Sequence, residues 1–418
     1  MKLFNCICGT TNSLFFESSQ CTTCGRLTGY CHDTKSVISF DPTDKEGIFL
    51  GADNKREYQQ CDNYRLYQSC NGMTPVVNPT IEEAASNLCF SCHFNDNVPD
   101  LSVPEHITLW QKLETAKRRT LYTLDALQLP LLDKVQDPEL GLSFDFLADK
   151  SASDHFITPI KGQDPVFTGH ANGLITINIA EADDVARAST RLAMGERYRT
   201  LLGHFRHEIG HYYWDLLVAP DKKQLKKYRA LFGDERADYQ EAIERHYQEG
   251  TPENWQNSFI SEYATMHPWE DFAETWAHYL HMIDTLETAQ ICGLEMADEP
   301  HQLNTDVGEI SLPQEENYFN KRSSLTNIVK TWVRFSVVLN SLNRSMGLPD
   351  AYPFVFNETI EKKLKYIHTL IHNYEPTEGV SVPADEPAAP LSEDVPHDVT
   401  DTVIAEPANA PPVPKKGS

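Results

Sequence analysis

The chain of 418 residues carries 61 acidic against 36 basic side chains, a formal net charge of −25. With no track of Lys and Arg in its cysteine-rich beginning, that balance argues against nucleic acid as a partner, because phosphate binding needs a cationic footprint. The start Met1-Lys2-Leu3-Phe4-Asn5-Cys6 has no apolar secretion core, and no run approaches the roughly 18 apolar residues of a membrane helix, so a cytoplasmic protein is expected.

Nine of the ten cysteines precede residue 93, and only Cys292 lies beyond. In a reducing compartment clustered cysteines are read as metal ligands rather than disulfides. Cys6 and Cys8 pair naturally with Cys21 and Cys24, where the following Gly25 suits a tight knuckle. Cys61 and Cys70 pair with Cys89 and Cys92. Each set offers four thiolates, enough for one closed tetrahedral structural zinc. Cys31 is left over and read as a buried or free thiol, with His32 and His93 as alternative ligands. A small cysteine-rich region buries little apolar area, so zinc supplies folding free energy that its core does not. Residues 1–97 are therefore expected to form a zinc-binding region with a structural role or a protein partner.

Residues 98–374 are expected to form a second, larger domain. Pro104 to Leu127 reads as a helix with Trp110, Leu113 and Leu121 inward, and Lys117-Arg118-Arg119 as its solvated or salt-bridged face. Asp145 and Phe146 fall in a short extended piece. Gly173 to Ile179 alternates with β-branched residues and reads as a strand. A helical run opens at Ala180-Glu181-Ala182-Asp183-Asp184, where the acids suit the positive end of a helix. It continues through Val185, Leu192, Tyr198, Leu202 and Phe205 to Trp214, with Gly195 as its one break point.

That run contains His207-Glu208-Ile209-Gly210-His211. On a helix the two imidazoles share one face and can bind one zinc, which puts Glu208 beside the metal as a general base. A catalytic zinc usually takes a third protein ligand and leaves a position open for water. A third histidine shortly after the second is excluded, because Leu217 stands there, and Asp215 lies too far along the axis. The better candidate is a second helix from Pro268 to His278. In it Glu270 and Glu274 share a face, so that one carboxylate can bind zinc while the other accepts a hydrogen bond from a ligand histidine. Tyr263 is a candidate donor to a developing oxyanion, with His267 as its rival.

Glu270-Asp271-Phe272-Ala273-Glu274 after this histidine motif resembles the glutamate-ligand zinc peptidases (gluzincins), in the branch that includes anthrax lethal factor. The resemblance implies Glu270 as third ligand and Glu274 as its supporting carboxylate. It also implies Glu208 as the base that moves a proton from water to the leaving amine, and Tyr263 as the oxyanion donor. The chain up to about Asn373 also resembles a bacterial family of zinc-binding metallopeptidases with an N-terminal zinc-ribbon region. That likeness is carried by Cys89-Phe90-Ser91-Cys92, Pro99-Asp100-Leu101, Lys117-Arg118-Arg119, Gly203 to His211 and His267 to His278, and it supports the two cysteine sets. In the resembling class an edge strand before the metal-site helix holds an extended substrate by main-chain hydrogen bonds. Here an ordinary core strand is the competing reading for Gly173–Ile179.

Leu325 to Met346 and Thr359 to Tyr374 read as a closing helical pair. From 375 the chain turns to Pro, Ala, Asp and Glu and reads as a disordered tail. The expected fold is α+β, a mostly helical zincin-like peptidase domain with a small sheet, preceded by the zinc-ribbon region. The expected function is zinc-dependent hydrolysis of a protein or peptide substrate, with one catalytic and two structural Zn2+. A non-catalytic, zinc-stabilised scaffold and an enzyme gated by its ribbon region are the alternatives.

Overall fold

The computed structural model describes residues 1–9, 13–76, 87–149, 168–193, 200–294, 318–320 and 323–374. Gly195 and the tail from 375 lie outside these residues. The fold is α+β and mostly helical, with small sheets and a cysteine-rich beginning.

Two short strands, β1 (Phe4–Asn5) and β2 (Ser13–Leu14), pair antiparallel at the first cysteines. Five strands then close a small barrel: β3 (Leu27–Cys31), β4 (Ser36–Pro42), β5 (Ile48–Gly51), β6 (Glu57–Gln60) and β7 (Gly72–Pro75). Neighbours run antiparallel except at the closure, where β3 pairs parallel with β7. Closure leaves no unpaired sheet edge. Helix α1 (Asp62–Tyr67) links β6 to β7. The second cysteine set packs with Cys31, Ile38, Phe40, Tyr58 and Met73, so candidate metal ligands and barrel core are one cluster. A Cβ at Gly72 would collide with the Cys89 side chain, so that position needs glycine for the set to close.

The larger part begins with β8 (Asn95–Asn97) and α2 (Pro104–Ala126). Trp110, Leu113 and Leu121 face inward, as the apolar spacing predicts. Next come β9 (Ser143–Leu147), β10 (Gly169–Ala171) and β11 (Leu174–Asn178), in a sheet ordered β10-β11-β9-β8. β11 is thus an interior strand, parallel to β9 and covered by the antiparallel β10. The edge-strand reading fails because a short hairpin folds β10 onto it.

The continuous helical run is two helices, α3 (Asp184–Ala193) and α4 (Leu201–Leu217). Thr200 caps α4 by accepting the Gly203 N–H at 2.9 Å. Then follow α5 (Lys222–Leu231), α6 (Tyr239–Glu249), α7 (Pro268–Ile291), α8 (Leu325–Ser345) and α9 (Glu358–His372). Phe205 of α4 packs on Phe144 and Phe146 of the sheet, and Tyr213 stacks on Trp276 of α7 with centroids 4.9 Å apart. α4 is held between the sheet and α7, which fixes the face carrying its histidines.

The Lys117-Arg118-Arg119 cluster is salt-bridged, as one of the two readings has it, but Lys117 and Arg118 are buried rather than solvated. Lys117 is fully buried, 2.9 Å from Glu114, hydrogen-bonded to Asn95 and beside the Phe144 and Phe146 rings. These partners replace the water that an ammonium loses on burial. Arg118 bonds Asn71 and lies over Phe16, while Arg119 pairs with Glu17 at 2.6 Å. Through these two side chains α2 grips the cysteine-rich part.

Candidate metal centres

The cysteines gather as their spacing predicts. Cys6, Cys8, Cys21 and Cys24 have all their sulfurs within 4.8 Å of one another, and so do Cys61, Cys70, Cys89 and Cys92. Close pairs stand 3.6 Å (Cys6–Cys24), 3.9 Å (Cys8–Cys21) and 4.0 Å (Cys70–Cys89) apart. Zn–S bonds of about 2.3 Å in a tetrahedron put sulfurs about 3.8 Å apart, so both sets fit zinc. They do not fit disulfides, whose sulfurs are about 2.05 Å apart. The Arg26 backbone N–H is the main cause that lowers the Cys24 thiol to about 6, the form a metal takes. Cys31 is the buried thiol expected of it, pushed up by burial. His32 stacks on Phe90 and His93 bonds Asp133 at 2.6 Å, so neither joins a cysteine set.

The third centre forms where α4 crosses α7. His207, His211 and Glu270 bring one donor atom each within 4.8 Å of one another. The His207 and His211 Nε2 atoms are 3.1 Å apart, and Glu270 Oε2 is 2.9 Å from His207 Nε2. His207 Nδ1 faces Glu274 Oε1 at 2.7 Å, which assigns the ring proton to Nδ1 and turns a lone pair toward Glu270. Glu270 Oε2 is buried without a hydrogen bond among the described residues. Lone pairs of two imidazoles and a carboxylate thus converge in a buried space, the donor set and charge that suit zinc. Burial would raise Glu270, but the His211 and His207 rings outweigh it and hold its carboxyl well below the ordinary range.

Three further groups brace these ligands. Ser261 donates to Glu274 Oε2 at 2.5 Å, which ties the segment before α7 to the His207 support. The Tyr239 hydroxyl donates to Glu270 Oε1 at 2.8 Å. His267 accepts the Trp269 N–H at Nδ1 and donates from Nε2 to the Ala237 carbonyl, both at 3.1 Å. It caps α7 and anchors the start of α6, and hence Tyr239, so it is not the oxyanion donor that its position suggested. Asp271 turns away to Lys363, 2.5 Å distant.

Glu208 stands beside the triad. Its Oε1 is 3.2 Å from His204 Nε2, and its Oε2 is buried with no hydrogen-bond partner among the described residues. Burial would raise this carboxyl, but His204 and the neighbouring imidazoles bring it down to about 2. The Tyr263 ring lies 5.7 Å from that of His207. His204, His207, Glu208, His211, Tyr239, Ser261, Tyr263, Glu270 and Glu274 line one cavity of about 260 Å³, which Ala277, His278, His281 and Phe354 also line. No lining residue precedes Thr168, so among the described residues the cysteine-rich part does not cover this cavity. Sequence reasoning missed Tyr239 and Ser261, which reach the site from segments with no motif of their own. His204 carried a readable signal, since it lies one helical turn before Glu208.

Residues 106–370 match the family described as "putative zinc-binding metallo-peptidase", and residues 3–103 match a zinc-ribbon domain. The chain belongs to that peptidase family. It is 38% identical over 377 residues to uncharacterised proteins of Mycobacterium tuberculosis and Mycobacterium bovis, covering 90% of this chain and 97% of each relative. No solved structure matches. Among the described residues no helix is long and apolar enough to cross a membrane.

Proposed function

We propose that the chain is a glutamate-ligand zinc peptidase acting on peptide bonds of a protein or peptide substrate in the cytoplasm. Residues 98–374 are its peptidase domain, and residues 1–97 hold two structural zincs. His207, His211 and Glu270 hold the catalytic zinc. When bound there, zinc supplies a Lewis acid that polarises a carbonyl and makes a water acidic at neutral pH.

The chain's own groups do the rest. Glu208 Oε2 takes the proton of the attacking water and hands it to the leaving amine nitrogen. Glu274 keeps the His207 ring turned to the centre, and Tyr239 holds Glu270. Tyr263 donates to the carbonyl oxygen as it gains charge. The observation that carries this reading is Glu208 itself, with Oε1 3.2 Å from His204 Nε2 and Oε2 buried beside the triad without a hydrogen-bond partner among the described residues. A purely structural zinc site has no use for such a base. His267 and Asp271, the residues that would close the coordination of a scaffold, are engaged elsewhere.

The test is digestion of a peptide library by wild type and Glu208→Gln. The variant should keep its zinc and lose cleavage by at least about a hundredfold. Continued cleavage by the variant would refute the role of Glu208.

A further inference from the structure

His204 lies between two carboxylates. Its Nε2 is 3.2 Å from Glu208 Oε1, and its Nδ1 bonds Glu181 Oε2, while Glu181 Oε1 accepts the Thr168 hydroxyl. Each ring nitrogen thus has a carboxylate oxygen of its own beside it. Glu181 sits in the turn from Ile179 to Ala182 that follows β11. That turn is tied down on several sides. The Asn178 side chain accepts the Ala180 N–H at 2.9 Å, Arg187 donates to the Glu181 carbonyl at 2.9 Å, and Lys112 donates to the Ala182 carbonyl at 3.1 Å. The His204 ring is therefore gripped from a rigid base rather than from a loop tip.

We propose that His204, held by Glu181, is a positioning residue for Glu208. It pins Oε1, so that Oε2, buried and without a hydrogen-bond partner among the described residues, is presented to the cavity in one rotamer. The inference rests on the reading of Glu208 as the base and adds the device that aims it. A mere strut between α4 and the sheet would need Glu181 and His204 but not the contact to Glu208.

The test uses the zinc-loaded full chain and two small probes followed by calorimetry. Azide needs only an open position at the metal. Acetohydroxamic acid must also pass a proton to a nearby base. Wild type should bind both, and Glu208→Gln should weaken only acetohydroxamic acid. His204→Ala should weaken acetohydroxamic acid by about tenfold, with azide affinity and zinc content unchanged. His204→Gln, which keeps an N–H donor for Glu208, should recover most of the loss. Glu181→Gln should show the same selective loss as His204→Ala, and it decides the matter if His204→Ala folds poorly. If Glu208→Gln weakens the acid probe while His204→Ala and Glu181→Gln do not, the positioning role is overturned and the base reading stands. If wild type binds neither probe, the open metal centre falls, and this inference with it.

Discussion

Gly210 of α4 meets Ala273 of α7 so closely that a Cβ at position 210 would lie 2.9 Å from the Ala273 Cα. Each residue sits within the motif that carries the ligands, Gly210 between His207 and His211, and Ala273 between Glu270 and Glu274. The small pair lets the two backbones approach until imidazoles and carboxylate share one space.

Gly210→Ala tests this spacing. In an isolated helix the change would stabilise by about 1 kcal/mol. Here the neighbour is backbone, which has no rotamer to yield, and overpacking costs about 1–3 kcal/mol. We expect the thermal midpoint to fall and one zinc to bind more weakly, as the helices are pushed apart. Thermal unfolding and zinc titration measure both, and a raised midpoint with unchanged zinc affinity would show that the approach is not limiting.

Metal content separates the three centres. Wild type should hold about three zincs per chain, and Glu270→Ala about two, because the two cysteine sets share no ligand with the α4–α7 site. Elemental analysis checks both numbers. About two zincs in both proteins would mean that the histidine pair does not hold metal as drawn.

Much of the site is readable from local pattern, because its ligands lie on two helices whose periodicity and caps are local. Glu208, His211 and Glu274 follow from spacing along one helix each, and Pro268 marks where the second helix begins. The barrel was not readable. Its closure pairs Tyr30 with Gly72 and Cys31 with Met73, far apart in the chain, and the two closing strands, of five and four residues, leave little alternation to count. Lys117 misled for a related reason. A cation's burial is decided by partners such as Glu114 and Phe144, and only Glu114 is near it in sequence. Tyr239 reaches Glu270 across the fold, and His267 holds the turn before α6, tertiary contacts with no sequence signature.

The buried pair Asp271–Lys363 joins α7 to α9 at the residue next to Glu270. Lys363 Nζ is 2.5 Å from Asp271 Oδ2, donates to the Ser258 carbonyl at 2.6 Å and lies 4.5 Å from the Phe259 ring centroid. Burial pushes the Asp271 carboxyl up to about 7, against the pull of Lys363. A carboxyl raised on folding binds its proton more tightly in the folded state. Its contribution to stability is therefore greatest at low pH and falls as pH climbs from the ordinary carboxylate range toward 7. Lys363→Met removes the cation and moves Asp271 further upward. At pH 8 the variant's Asp271 must take up a proton that the wild-type carboxylate, paired with Lys363, largely gives up, a loss on the order of 1–3 kcal/mol. At pH 5 Asp271 keeps its proton, and the loss should be clearly smaller. Urea unfolding of both proteins at the two pH values measures the difference. An equal loss at both would mean that Lys363 acts through packing on Phe232 and Phe259 rather than through the charge of Asp271.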